Sequence, residues 1–384
     1  MDPSLVWLSV SLFLWGIGEG MFLIFQPIYL SQLGANPLQI GAILSAAGVA
    51  MVISHIPAGY LSDRFGRRPL LFASWILGLI STWVMALAQN LPPFTAGLVL
   101  YSFTAFVTAP LNSYVTTARG KWSVARAITL ISVAFNLGAV VGPFAGGWVG
   151  DHFGLRTVFF VSGSIFVLSN VLIYFIRPQP RDQHDPAAPP SRLLANRPYL
   201  NFLALGFLIC LATYLPQPFT AKFLQDVRHL SLGSIGLLGT FGGVGNTLLT
   251  FFLGQLEARV GFVLGQIAVG LFTLLLWRET GFEWLAVGYV LLGGYRATRA
   301  LFSAQIRPLI HISQMGLAYG IAEAVSALTL VIAPVLAGLL YEKDPASIFP
   351  IALAAILFDA ALSVALLPHQ PQATSAEPML EIRE

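Results

Sequence analysis

The sequence predicts an all-α integral membrane protein, with twelve transmembrane helices in two pseudo-symmetric six-helix bundles. Three observations carry this. Of 384 residues, 56% are hydrophobic and 10% charged, with a mean hydropathy of +0.77, and so apolar a chain cannot supply a soluble protein with its polar surface. The apolar residues gather into twelve runs, each near the ~20 residues a helix needs to cross a bilayer. Laid over itself at an offset of 195, Pro37–Gly66 matches Leu232–Gly261 at eight of thirty positions, among them Gly59 with Gly254, Leu61 with Leu256, Arg64 with Arg259 and Gly66 with Gly261.

The spans follow in order. Span 1 (5–29) starts after Met1-Asp2-Pro3-Ser4, which has no basic leader region, and carries Glu19 among Gly16, Gly18 and Gly20. Span 2 (37–58) runs into a charged turn, Gly59–Pro69, with four charges in six residues and glycines that allow a tight reversal. Spans 3 (69–89), 4 (94–117), 5 (124–149) and 6 (155–176) complete the first bundle, residues 1–176. Residues 177–198 hold six prolines and mixed charge and read as a flexible cytoplasmic linker. The second bundle, 199–367, holds spans 7 (199–220), 8 (231–255), 9 (262–278), 10 (284–305), 11 (315–340) and 12 (346–367). Residues 368–384 form a polar, disordered tail. None of the runs alternates as barrel strands do, and helix is the remaining way to satisfy backbone groups in lipid.

Positive charge orients the chain. Arg64, Arg67, Arg68, Arg119, Lys121, Arg126, Arg177, Arg181, Arg192, Arg197, Arg259, Arg307 and Arg383 fall on one side, 13 in all, against 5 on the other: Arg156, Lys222, Arg228, Arg278 and Lys343. That bias puts both termini in the cytoplasm of a cell (inner or plasma) membrane. It also accounts for the pI near 9.1 better than nucleic acid does. The single cysteine, Cys210, excludes an internal disulfide and a cysteine-based metal site. No Walker motif, hydrolase constellation, metal cluster or cofactor motif is present; Gly242-Gly243-Val244-Gly245-Asn246 lies in a span and has no following lysine. An enzyme is not expected.

Gly59-x-Leu61-x-Asp63-Arg64-x-Gly66-Arg67-Arg68 closely resembles the signature between helices 2 and 3 of the major facilitator superfamily. Gly138-x-x-x-Gly142-Pro143-x-x-Gly146-Gly147 in span 5 resembles the motif of that family's 12-helix drug–proton antiporter branch. With the twelve spans and the linker, the resemblance covers nearly the whole chain. It implies the major facilitator fold, alternating access, and contacts of helix 2 with 11 and of helix 5 with 8. It also implies that Asp63 lies near the start of span 11, where helix amides favour an anion. Span 4 departs from the branch: Tyr101-Ser102-Phe103-Thr104-Ala105-Phe106 has no basic residue in place of the arginine those antiporters carry. The glycines of span 5 and of the outer half of span 8 (Gly233, Gly236, Gly239, Gly242, Gly243, Gly245) read either as an outer gate or as static packing.

Intramembrane charges mark the candidate site. Glu19 lies fourteen residues into span 1, ~21 Å deep, with no basic residue of the first bundle at that depth. Such a carboxylate is a candidate to exchange a proton; a permanently neutral, hydrogen-bonded Glu is the structural alternative. Arg296, Glu323 and Asp359 fall in one layer, ~12–14 Å from the cytoplasmic edge, with Arg299 one turn lower. They serve proton coupling (Glu323, Asp359) and substrate binding (Arg296, Arg299), or else neutralise one another. Stripes on the spans that line the cavity in this family are Trp15, Glu19, Phe22 and Gln26; Tyr101, Thr104, Thr108 and Asn112; Tyr214 and Gln217; and Tyr289 with Arg296. They suit an amphipathic substrate with a polar end.

The expected function is proton-coupled export of an amphipathic or drug-like small molecule by a monomer in the lipid bilayer. The alternatives are a lipid flippase, an uptake carrier for a sugar or organic anion, and, from another class, a membrane sensor that transports nothing.

Overall fold

The computed structural model describes residues 3–179, 196–306, 310 and 315–366. The linker core and the tail lie outside the described residues, as do Arg181, Arg192, Arg307 and Arg383. Gly59, Asp63 and Arg64 are described by their backbone alone.

Every regular element among the described residues is helical: α1 (Pro3–Leu23), α2 (Gln26–Gln32), α3 (Pro37–Phe65), α4 (Arg67–Leu87), α5 (Leu91–Ser102), a 3-10 turn (Phe103–Val107), α6 (Thr108–Ala118), α7 (Val124–Phe153) and α8 (Leu155–Ile173). After the linker come α9 (Arg197–Tyr214), α10 (Gln217–Asp226), α11 (Leu232–Leu253), α12 (Ala258–Arg278), α13 (Phe282–Leu292), α14 (Gly294–Ala304), α15 (Met315–Lys343) and α16 (Ile348–Leu366). Eleven stretches are long and apolar enough to cross a membrane. The expected twelfth, span 10, is present as two 11-residue helices, α13 and α14.

Four spans read as continuous are broken, and three of the breaks have one cause. A proline has no N–H for the carbonyl four residues back. Pro27 leaves Leu23, where α1 ends; Pro218 leaves Tyr214, where α9 ends; and Pro110 leaves Phe106, inside the 3-10 turn. The fourth break is at Gly293, where a Cβ would lie 2.2 Å from the carbonyl carbon of Gly245, so backbone meets backbone. Spans 1 and 7, and 4 and 10, are thus interrupted in matching places.

The charged turn is also shorter than expected. α3 continues helically through Phe65, and the reversal is Gly66 alone, whose φ of 87° favours glycine. Gly154 joins α7 to α8 in the same way with φ 81°. Helix starts are satisfied locally. Before α3, Asn36 Oδ1 accepts from the Gln39 N–H at 2.8 Å, and Gln39 Oε1 from the Asn36 N–H at 3.0 Å.

In the first group of six spans α1 packs on α7 and α8, and α4 on α5 and α8; in the second α12 packs on α13, α14 and α16, and α9 on α15 and α16. The groups meet through α3 with α15, α7 with α11 and α2 with α10. Glycines allow these approaches: a Cβ would lie 2.3 Å from the Pro334 carbonyl oxygen at Gly41, 2.7 Å from that of Leu330 at Gly48, 2.4 Å from that of Leu232 at Gly147 and 2.2 Å from that of Pro143 at Gly236. All of these contacts lie between the middle of the helices and the Gly154 end. That end is sealed, and the Arg67 end lacks such backbone approaches among the described residues.

Candidate functional site

The first group is built around rings. Trp15 stacks on Phe166 with centroids 4.4 Å apart and tilts against Trp75 at 5.1 Å. Gly78 makes room for it: a Cβ there would be 2.2 Å from Trp15 Cη2. Gly18 likewise admits the Phe166 ring, at 2.5 Å. Beneath this stack, Ser11, Ser169 and the Trp75 indole N–H form a buried polar knot with contacts of 2.8–3.0 Å.

Glu19 hangs from this frame by two hydrogen bonds. Its Oε2 accepts from Trp15 Nε1 and from the Tyr101 hydroxyl, each at 3.0 Å. Both donors converge on one oxygen, so Oε1 can gain or lose a proton without disturbing either bond. The flanking glycines do not leave space. A Cβ at Gly16 would lie 2.2 Å from the Phe135 carbonyl oxygen, and one at Gly20 3.1 Å from that of Ala139. They seat α1 on α7. Trp15 and Tyr101 therefore serve Glu19 from within the core, at 7% and 6% exposure, rather than lining a cavity.

From the second group, Arg296 Nη1 donates to Asn136 Oδ1 of α7 at 3.3 Å, and its guanidinium is close enough for its charge to act on Glu19. Asn136 was not singled out in the sequence, where a lone asparagine in a span gives no signal. The expected four-charge network forms only in part. Arg299 Nη2 pairs with Glu323 Oε2 at 2.8 Å. Arg296 meets an amide instead of a carboxylate. Asp359 is buried, its backbone carbonyl accepts from Ser363 Oγ at 2.8 Å, and among the described residues no cation pairs with it. Helical rise placed these residues at one depth but could not say which way each faces.

The remaining stripe residues divide. Phe22 is fully buried against Tyr101, Phe159 and Phe166, and Tyr289 packs edge-on to Phe272 at 5.8 Å; both are core residues. Gln26 is buried, and Thr104 Oγ1 donates to the Tyr101 carbonyl at 2.7 Å. Tyr214 tilts against Tyr295 at 5.7 Å, and Gln217 Nε2 donates to the Thr213 carbonyl at 2.9 Å. Thr108 and Asn112 are exposed.

The motif residues also sort by contact. Gly138, Gly142 and Gly146 face α1, where a Cβ would lie 2.1, 2.6 and 2.1 Å from the carbonyl oxygens of Phe13, Ile17 and Met21. Of the motif's four glycines only Gly147 faces α11. Pro143 lies inside an unbroken α7 and meets Gly236 and Gly239. At the other end Arg67 donates to Thr117 Oγ1 and, at 3.1 Å, to Gln179 Oε1; Arg68 donates to the Tyr174 carbonyl at 3.2 Å. The two arginines thus fasten the start of α4 to α6 and to the chain after α8. Among the described residues no cluster of His, Cys, Asp or Glu could hold a metal ion.

Comparison with known proteins agrees with this architecture. Residues 8–262 match the family described as Major Facilitator Superfamily. The chain is 25% identical over 276 residues to the multidrug resistance protein MdtG of Klebsiella pneumoniae (strain 342), covering 67% of this chain and 66% of that protein. It is 26% identical over 264 residues to the multi-drug resistance efflux pump PmrA of Streptococcus pneumoniae serotype 4, with 65% of each covered. These alignments therefore span about two thirds of each relative's length. Among solved structures, the nucleoside transporter NupG superposes with a TM-score of 0.83 at 15% identity, covering 94% of this chain and 99% of that one, a likeness of fold alone.

Proposed function

From the premise that the chain belongs to the Major Facilitator Superfamily, and is a membrane transport protein rather than an enzyme, we propose that it exports an amphipathic, drug-like small molecule by alternating access, driven by protons exchanged at Glu19. The observation that carries this is the Glu19 carboxylate, held through one oxygen by two neutral donors, within electrostatic reach of Arg296 from the other helix group. Loading a proton on Oε1 changes the charge seen by that arginine, which links protonation to the boundary that alternating access must rearrange. The names of the curated relatives support efflux.

In this reading the Arg67 end is cytoplasmic, because arginines and lysines concentrate there. The sealed Gly154 end then faces outward, and the protein is open inward. The chain works as a monomer in the plasma membrane with both termini inside and needs no nucleic acid.

One observation favours a second reading. Arg296 meets an amide rather than a carboxylate, so it is available to an organic anion or a lipid head group, as an uptake carrier or flippase would need. Reconstituted protein given a fluorescent lipophilic amine separates the two. Substrate-driven proton movement that Glu19→Gln abolishes is the expected result. Movement that survives Glu19→Gln refutes the coupling role, and exclusive transport of anions replaces export with the second reading.

A further inference from the structure

Asp151 sits in the last turn of α7, where a helix presents its unpaired carbonyls and a carboxylate is disfavoured. Its own helix therefore gives no reason for an acid there. The reason lies across the boundary between the helix groups. Asp151 Oδ1 accepts from the Leu232 N–H at 2.8 Å, and Oδ2 from the Gly233 N–H at 2.7 Å. These are the first two amides of α11, which no intrahelical acceptor can reach. The third, at Ser234, donates to Ser231 Oγ at 3.1 Å. One carboxylate of the first group thus completes the cap of a helix in the second. Gly233 is required for the approach, since a Cβ there would be 2.6 Å from Asp151 Oδ2.

A second tie crosses the same end. Lys222 Nζ donates to Ser31 Oγ of α2 at 2.8 Å, and is itself held by Asp226 at 2.8 Å, which accepts from the Tyr341 hydroxyl at 2.9 Å. Both ties are polar, unlike the apolar and glycine packing beneath them. They differ in what separation would do. Lys222 would keep Asp226 within its own group, whereas Asp151 would be left facing the carbonyls of its own helix, and the two α11 amides would be left to water. Its partner exists only while the Gly154 end is closed.

We propose that Asp151 is a positioning residue for the transport cycle: by capping α11 from α7 it holds the Gly154 end closed, and losing the cap favours opening there. This rests on the alternating-access reading, and its test needs neither proton nor substrate. Spin labels are placed at Asn90 and Thr280, exposed residues in the α4–α5 and α12–α13 loops at that end, in a full-length Cys210→Ser background in lipid nanodiscs. Asp151→Asn removes the charge and turns a donor toward a donor. Leu232→Pro removes the first amide from the opposite side, at a helix position where proline fits. Because the cap is exposed, each variant should raise the long-distance fraction roughly two- to fivefold, and the double variant should add little to either. Distributions that keep the wild-type ratio in both variants overturn the proposal whether or not transport depends on Glu19. Fully additive shifts overturn it as well, since the two residues would then act independently.

Discussion

Adding a single methyl group at Gly236 should open the sealed end. In the closed arrangement the Cβ of Gly236→Ala would lie 2.2 Å from the Pro143 carbonyl oxygen, 3.0 Å from its carbon and 3.1 Å from Gly147 Cα. All three are backbone atoms, so no side chain can rotate away, and α7 and α11 must separate by about 1 Å to reach ordinary contact. Overpacking of this kind costs about 1–3 kcal/mol, a factor of roughly 5 to 150 in an equilibrium constant. The better helix propensity of alanine acts alike in both arrangements and cancels. The whole cost therefore falls on closure. A cysteine replacing Asn136 reports on it. That residue lies on the boundary below the glycine contacts, and in a Cys210→Ser background it is the only thiol. A membrane-impermeant thiol reagent added from the Gly154 end should label it at least fivefold faster in Gly236→Ala. Gly288→Ala is the control: its Cβ would find nothing nearer than 3.4 Å, and labelling should not change. Equal rates in Gly236→Ala and the parent, with unfolding temperatures also equal, would refute the reasoning.

Two further outcomes follow from the packing around the site. Gly78→Ala should cut transport about tenfold in protein that still folds, because the 2.2 Å clash with Trp15 Cη2 forces the indole off Glu19 and a hydrogen bond to a charged group is worth ~1.5–3 kcal/mol; transport assays with tryptophan fluorescence check it. Tyr289→Phe should leave substrate affinity within about twofold in a binding titration, since that ring packs on Phe272 within its own group; a large loss would return Tyr289 to the cavity wall.

Charge and hydropathy made the spans legible, because a bilayer demands long apolar helices and sorts arginine and lysine by side. The four breaks had signals too, in Pro27, Pro110, Pro218 and the Gly293-Gly294 pair, yet apolar runs continue across them. Glu19 was legible as an acid in an apolar run, but not as a partnered one. One donor, Trp15, is the neighbour one turn back on α1 that helical spacing offers, but no spacing rule relates Glu19 to the other, Tyr101 on α5.

The sequence by itself determined what solvation controls: an all-helical membrane fold, its repeat, its family and the short list of intramembrane charges. Only the tertiary structure decided which face each residue presents. Depth along a helix follows from rise alone, so Arg296, Arg299, Glu323 and Asp359 could be placed in adjoining turns. Pairing depends on rotation about each axis and on the neighbour found there, which put Arg299 on Glu323 and Arg296 on Asn136, and left Asp359 buried with no ion pair among the described residues. The same rotation turned three glycines of the span 5 motif toward α1, left Gly147 and Asp151 to meet α11, and made the seal of the Gly154 end a matter of backbone contact between helices far apart in the chain.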